Sequence, residues 1–265
     1  MEQYNHVLEL WQAYKIAFAD DLDKCLDSFH ALFAYHSGKI ENDGITWHDM
    51  RELFENGRIV GFTGNSRTLL EQQNQKVCHE LVKENINKEK PLSADLIREL
   101  HRALTEGTYD ERQFAVNGER PGEFKKHDYV TGIHEAGSSA EDVENDLKEL
   151  INEVGAYDGK SVLDAAAYLH ARFEFIHPFA DGNGRVGRTL MNYYLMTHDH
   201  PPLIVFAEDK QLYYECLQKY DEAEELKPLV EFLRYETVKT WGNALTLSQR
   251  VKPERKNLSD SDQRM

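Results

Sequence analysis

With 265 residues, 40% of them hydrophobic and 29% charged, the chain is long enough for one large globular domain or a core domain with a helical extension. Its formal net charge of -16 argues against a broad nucleic-acid-binding face, because wide phosphate contact needs a basic surface. Three scattered cysteines, Cys25, Cys78 and Cys216, argue against a disulfide framework or a zinc site. With no basic leader and no run of about 18 apolar residues, the expectation is a soluble cytoplasmic protein with no membrane partner.

Most of the chain reads as amphipathic helix. His6 to Tyr35 carries Val7, Leu10, Trp11 and Tyr14, then Leu22, Leu26, Phe29 and Phe33, at helical spacing, with a turn expected at SGKIENDG. Thr46-Trp-His-Asp49 is a capping-box pattern opening a helix that stops at Asn56-Gly57. A further helix is expected over about Thr68 to Glu84. Ser93 caps a helix with Leu96, Leu100 and Leu104 on one face and Gly107 as its stop. Thr108 to Gly137 breaks the rhythm: glycines, polar residues and a β-prone run at Asp128 to Thr131 predict a loop with a small hairpin.

Helical periodicity returns with Val143, Leu147, Leu150, Ile151 and Val154. An alanine-rich helix follows from Ser161 and leads into HPFADGNGRVGR at His177 to Arg188. The run TLMNYYLMT reads as a second buried helix, and two more helical stretches follow. From about Ser248 the chain is polar and aperiodic, as a loose tail would be.

HPFADGNGRVGR crowds a histidine, a carboxylate, an asparagine, three glycines and two arginines into twelve positions. Gly182, Gly184 and Gly187 match GxGxxG, but that dinucleotide fingerprint follows a strand and this stretch follows a helix. A calcium loop fails because Arg185 and Asn192 would stand at ligand positions five and twelve. A Walker A loop has no match here, and GAYDGKS at Gly155 to Ser161 is one residue short. A plain turn between helices would leave the density of reactive groups without a use. A helix N-terminus beside two arginines one turn apart, a carboxylate and a histidine instead suits transfer of a phosphorus-centred group from a nucleotide.

The stretch resembles the Fic motif, H-x-F-x-[DE]-G-N-G-R-x-x-R, which it meets at His177, Phe179, Asp181, Gly182, Asn183, Gly184, Arg185 and Arg188. The resemblance extends over roughly Leu92 to Trp241. It implies a mainly α fold, a Fic-type helical bundle with a small β-hairpin flap. The chain then divides into an N-terminal helical region (1–91), a Fic core (92–241) and a polar tail (242–265).

The implied activity is protein adenylylation, in which AMP moves from ATP to a Ser, Thr or Tyr hydroxyl of a target protein. By the same resemblance His177 is the general base and Asp181 the Mg2+ ligand. Gly182, Asn183 and Gly184 form the anion hole, Arg185 contacts phosphates, Arg188 orients the γ-phosphate, and Phe179 anchors the loop. Gly184 stands where kinase-like relatives carry lysine, which favours AMP transfer. Val130, Thr131 and Gly132 fall at the flap that clamps the target. Tyr213 and Tyr214 fall near the adenine, with Asp221 where some relatives have Asn. Ser37 to Asn42, SGKIEN, is similar to the family's inhibitory motif [ST]-x-x-x-E-[GN]: Ser37, Glu41 and Asn42 match, and Glu41 would take Arg188 from the γ-phosphate. A homodimer controlling this brake is also implied. Removal of AMP from a modified protein, transfer from another nucleotide and a non-catalytic binding module remain the alternatives.

Overall fold

The computed structural model describes residues 1–17, 19–42, 44–59, 61–129, 137–157 and 161–250, with side chains left aside at 14–28 and 243–250. Ten α-helices account for most of them: α1 Glu2–Ala17, α2 Ala19–Glu41, α3 Trp47–Asn56, α4 Ser66–Asn87, α5 Ala94–Thr105, α6 Val143–Gly155, α7 Val162–Ile176, α8 Asn183–Thr197, α9 Lys210–Ala223 and α10 Lys227–Arg250.

Helices α7 and α8 form the centre. The first brings Ala165, Ala166, Ala167 and Ala171, all buried, so its backbone can lie close to its neighbours. α5, α6, α9 and α10 surround this pair through Leu100, Leu147, Leu217 and Leu233, among others. The N-terminal helices are wrapped onto the same core. α1 runs along α10, where Trp11, Phe29, Phe33 and Trp241 form a smaller aromatic cluster, and α2 and α4 pack on each other and on α8.

Local signals explain most helix ends. Thr46 and Asp49 form the reciprocal capping box of α3, and Gly57 closes it in the left-handed region. Ser93 and Ser161 cap α5 and α7 by accepting from Leu96 and Asp164 amides. The turn expected at SGKIENDG is displaced: α2 runs through Ser37 and Gly38 to Glu41. Gly38 is a packing residue, since a Cβ there would stand 2.4 Å from Gln72 Nε2 on α4. The helix expected over Thr68 to Glu84 starts earlier because Asn65 caps it by accepting from the Arg67 amide, and it runs on to Asn87, where the Lys88 amide closes it on Glu84 O.

No strand occurs among the described residues, and the hairpin positions Val130, Thr131 and Gly132 lie outside them. The segment before them instead winds a short π-helical turn over Arg112–Val116. The expected tail beyond Arg250 also lies outside the described residues, and Ser248 still belongs to α10. Among the described residues no helix is long and apolar enough to cross a membrane.

Candidate active site at the N-terminus of α8

The α7–α8 connection carries the motif. His177 ends α7 in the left-handed region at φ 51°, a conformation that costs a non-glycine residue roughly 1 kcal/mol and is held here by its amide donating to Phe173 O at 3.0 Å. Gly182 begins α8 at φ 82°, and a Cβ there would lie 2.7 Å from Thr105 Cγ2, so only glycine fits. Between them Asn183 clamps the loop: its Oδ1 accepts from Phe179 N at 2.9 Å and its Nδ2 donates to Phe179 O at 2.8 Å. The Asn183 side chain is thus turned inward, leaving its backbone N–H as its contribution to an anion site. Phe179 is fully buried, its ring parallel to that of His101 at 3.7 Å.

The result is a cleft of about 430 Å³ lined by Glu41, Arg67, Glu71, His177, Asp181 and the first turn of α8. That turn presents unpaired N–H groups and the positive end of the helix dipole. Arg185 is nearly buried and lies 3.4 Å from Glu71 and 3.7 Å from Asp181, while its buried Nε and Nη1 have no hydrogen-bond acceptor. Such donors suit an anion that arrives from outside.

Arg188 is 1% exposed. Its Nη2 donates to Glu41 Oε1 at 2.7 Å and to Ser37 O at 3.1 Å, and its Nε donates to Ser37 Oγ at 3.0 Å. Burial disfavours its charge, but Glu41, first among the groups around it, together with Tyr213 and Glu174 more than offsets this and holds the guanidinium firmly protonated. The Glu41 carboxylate occupies the space that a side chain at Gly184 would fill, 2.5 Å from that ideal Cβ. An acidic side chain from α2 therefore sits in the anion seat of α8. Asn42 ties the same helix end to α4, donating to Thr68 Oγ1 at 2.9 Å.

His177 faces this cleft. Burial and the nearby Lys125 ammonium draw its imidazole down to about 4, so it is neutral at physiological pH and able to accept a proton, with the Glu174 carbonyl as a hydrogen-bond partner. Asp181 is partly exposed at the rim. One carboxylate beside an anion site fits Mg2+, which is characteristically held by one or two carboxylates together with substrate phosphates. Its free oxygens are engaged here by Arg67 and, more distantly, Arg185.

The tyrosine pair divides. Tyr213 is 1% exposed and its hydroxyl meets His170 Nε2 at 2.7 Å, so it backs the core behind Arg188 and offers no ring to an adenine. Tyr214 is half-exposed, because adjacent helical residues point about 100° apart. Three residues outside the motif, His101, Arg67 and Glu71, also shape the site. His101 accepts from Gly122 N–H at Nδ1 (2.8 Å), so its Nε2 carries the proton and donates to Asp181 O at 3.0 Å. Its only sequence signal is a histidine on the apolar stripe of α5. Arg67 and Glu71 sit i,i+4 on α4, a pattern common on solvated faces.

Residues 91–195 match the model of the Fic/DOC family. The chain is 30% identical over 216 residues to the protein adenylyltransferase Fic of Drosophila melanogaster, covering 78% of this chain and 40% of that protein. To the protein of that name in Nematostella vectensis it is 27% identical over 219 residues, 78% of this chain and 46% of the relative. It thus spans less than half the length of these curated relatives. Among solved structures it is similar to a Fic domain containing signaling protein from Bacteroides thetaiotaomicron, with TM-score 0.78 and 25% identity over 93% of this chain and 96% of the other. It also shares its fold with a C. elegans Fic-1 chain at TM-score 0.77, with 21% identity over 94% of this chain and 72% of that one.

Proposed function

We propose that this chain, whose residues 91–195 are a Fic/DOC-family domain, transfers AMP from ATP to a Ser, Thr or Tyr hydroxyl of a target protein, restrained by Glu41. The observation that carries the reading is the α8 N-terminus. Its free amides and Arg185 line one cleft with a neutral histidine and the Asp181 carboxylate, and Arg188, one turn further along α8, is bound to Glu41, which lines the same cleft.

In this mechanism the backbone N–H groups of Asn183 and Gly184 and the Arg185 guanidinium receive the phosphates of ATP. Arg188 holds the terminal one and so fixes which face of the α-phosphorus is open to attack. His177 accepts the proton of the target hydroxyl as its oxygen bonds to the α-phosphorus. The bond from that phosphorus to the bridging oxygen breaks, and pyrophosphate leaves. Asp181 is the residue that would hold Mg2+, which when bound neutralises phosphate charge. His101, through the Asp181 carbonyl, and Asn183, through Phe179, keep the loop in shape.

Glu41 supports restraint because it uses the Arg188 donor that a γ-phosphate would need. The test is pyrophosphate release by Glu41→Gly with ATP and Mg2+. Release matched by adenylate bound to protein, and lost on adding His177→Ala, is expected. Release of phosphate instead would refute AMP transfer.

A further inference from the structure

Glu41 is not the only side chain from the N-terminal helices that stands where a reactant belongs. In the first turn of α4, Arg67 donates through Nη2 to Asp181 Oδ2 and through Nε to Glu71 Oε1 at 3.1 Å. Glu71, itself nearly buried, also lies 3.4 Å from Arg185, and Arg185 lies 3.7 Å from Asp181. Two acids and two arginines form a closed, charge-balanced ring across the cleft. Arg67 is its movable member. Its side chain is 40% exposed, whereas that of Arg185 is 5% exposed and fixed in the core.

A divalent cation on Asp181 would approach the carboxylate to about 2.1 Å. Its charge would then face a guanidinium hydrogen-bonded to the same carboxylate, at a separation too short for solvent to cancel the repulsion. The two cations exclude each other from Asp181. We propose that Arg67 is a built-in competitor of the divalent cation at Asp181, a second restraint on the cleft that is carried by α4 and independent of the Glu41–Arg188 contact on α2. For the cation to bind, the guanidinium swings toward solvent while Glu71 retains it, and α4 need not move. The inference rests on the reading of Asp181 as the cation's carboxylate.

The test uses Mn2+ alone, without nucleotide, titrated into the purified chain with free Mn2+ followed by electron paramagnetic resonance. Arg67→Met, or Arg67→Gln should the first variant be insoluble, is expected to bind Mn2+ about fivefold more tightly than the parent, the factor an ion pair of this exposure is worth. Arg67→Lys, which keeps a cation on the position, should stay close to the parent, and Arg67→Met should tighten Mn2+ binding by the same factor whether or not Glu41→Gly is also present. Arg67→Met binding no more tightly than the parent, undetectable binding in both included, overturns the inference. Unchanged tightening when Asp181→Ala is added to Arg67→Met instead overturns the reading of Asp181 on which it rests.

Discussion

Replacing Glu41 by glycine should make the protein less stable and more active at once. The substitution removes one charge-assisted hydrogen bond, of 2.7 Å, from a guanidinium that is 1% exposed, while the two bonds to Ser37 remain. A hydrogen bond to a charged group contributes about 1.5–3 kcal/mol. Because the Glu41 side chain is 39% exposed and the Ser37 bonds persist, the low end, about 1.5 kcal/mol, applies here. For a chain of this length that lowers Tm by about 3–6 °C. The same 1.5 kcal/mol no longer opposes entry of a γ-phosphate, so labelling by ATP should rise about tenfold or more. Differential scanning fluorimetry and labelling with α-labelled ATP read the two effects. Glu41→Gln, which keeps the shape and removes the charge, should move both in the same direction. A variant that loses stability yet labels no faster would refute the argument that Glu41 restrains the site through Arg188.

Gly182→Ala should cost at least about 1 kcal/mol from the positive φ alone, with more from the 2.7 Å approach to Thr105, and chemical denaturation would measure it. With His177 drawn down to about 4, kcat/KM should stay level from pH 8 to pH 5.5 and fall only near pH 4, and a fall centred on 6.5 would contradict this. The same depression acts on stability. Between about 4 and 6.5 the unfolded chain binds a proton that the folded His177 refuses, so stability declines as pH falls through that window. Glu236 has the opposite sign: burial pushes its carboxyl up to about 9, so between about 4.5 and 9 the folded chain keeps a proton that the unfolded chain sheds. Glu236→Gln should therefore gain in Tm relative to the parent on going from pH 5 to pH 8.

The motif at His177 to Arg188 was legible because its chemistry lies within twelve consecutive residues, and a helix, a turn and a second helix bring it together without distant help. Capping residues such as Thr46, Ser93 and Ser161 could be read for the same reason: each acts within three residues. The turn expected at SGKIENDG is displaced because a glycine that ends a helix and one, such as Gly38, that lets two helices touch are alike in sequence. The partner of Gly38, Gln72, is 34 positions away. Arg67 and His101 were invisible as site residues, since their roles arise only when α4 and α5 reach Asp181 across separations of 114 and 80 residues. Tyr213 and Tyr214 share a sequence signal but not a direction, and the helix alone decides which faces outward.

AMP transfer restrained by Glu41 can be read by counting protein-bound label after incubation with Mg2+ and ATP labelled at either the α or the γ position. The parent chain, Glu41→Gly and Glu41→Gly/His177→Ala are compared side by side. Label from the α position alone is expected, strongest in Glu41→Gly and absent from the double variant. Label from the γ position, or α label that survives loss of His177, would contradict AMP transfer through His177.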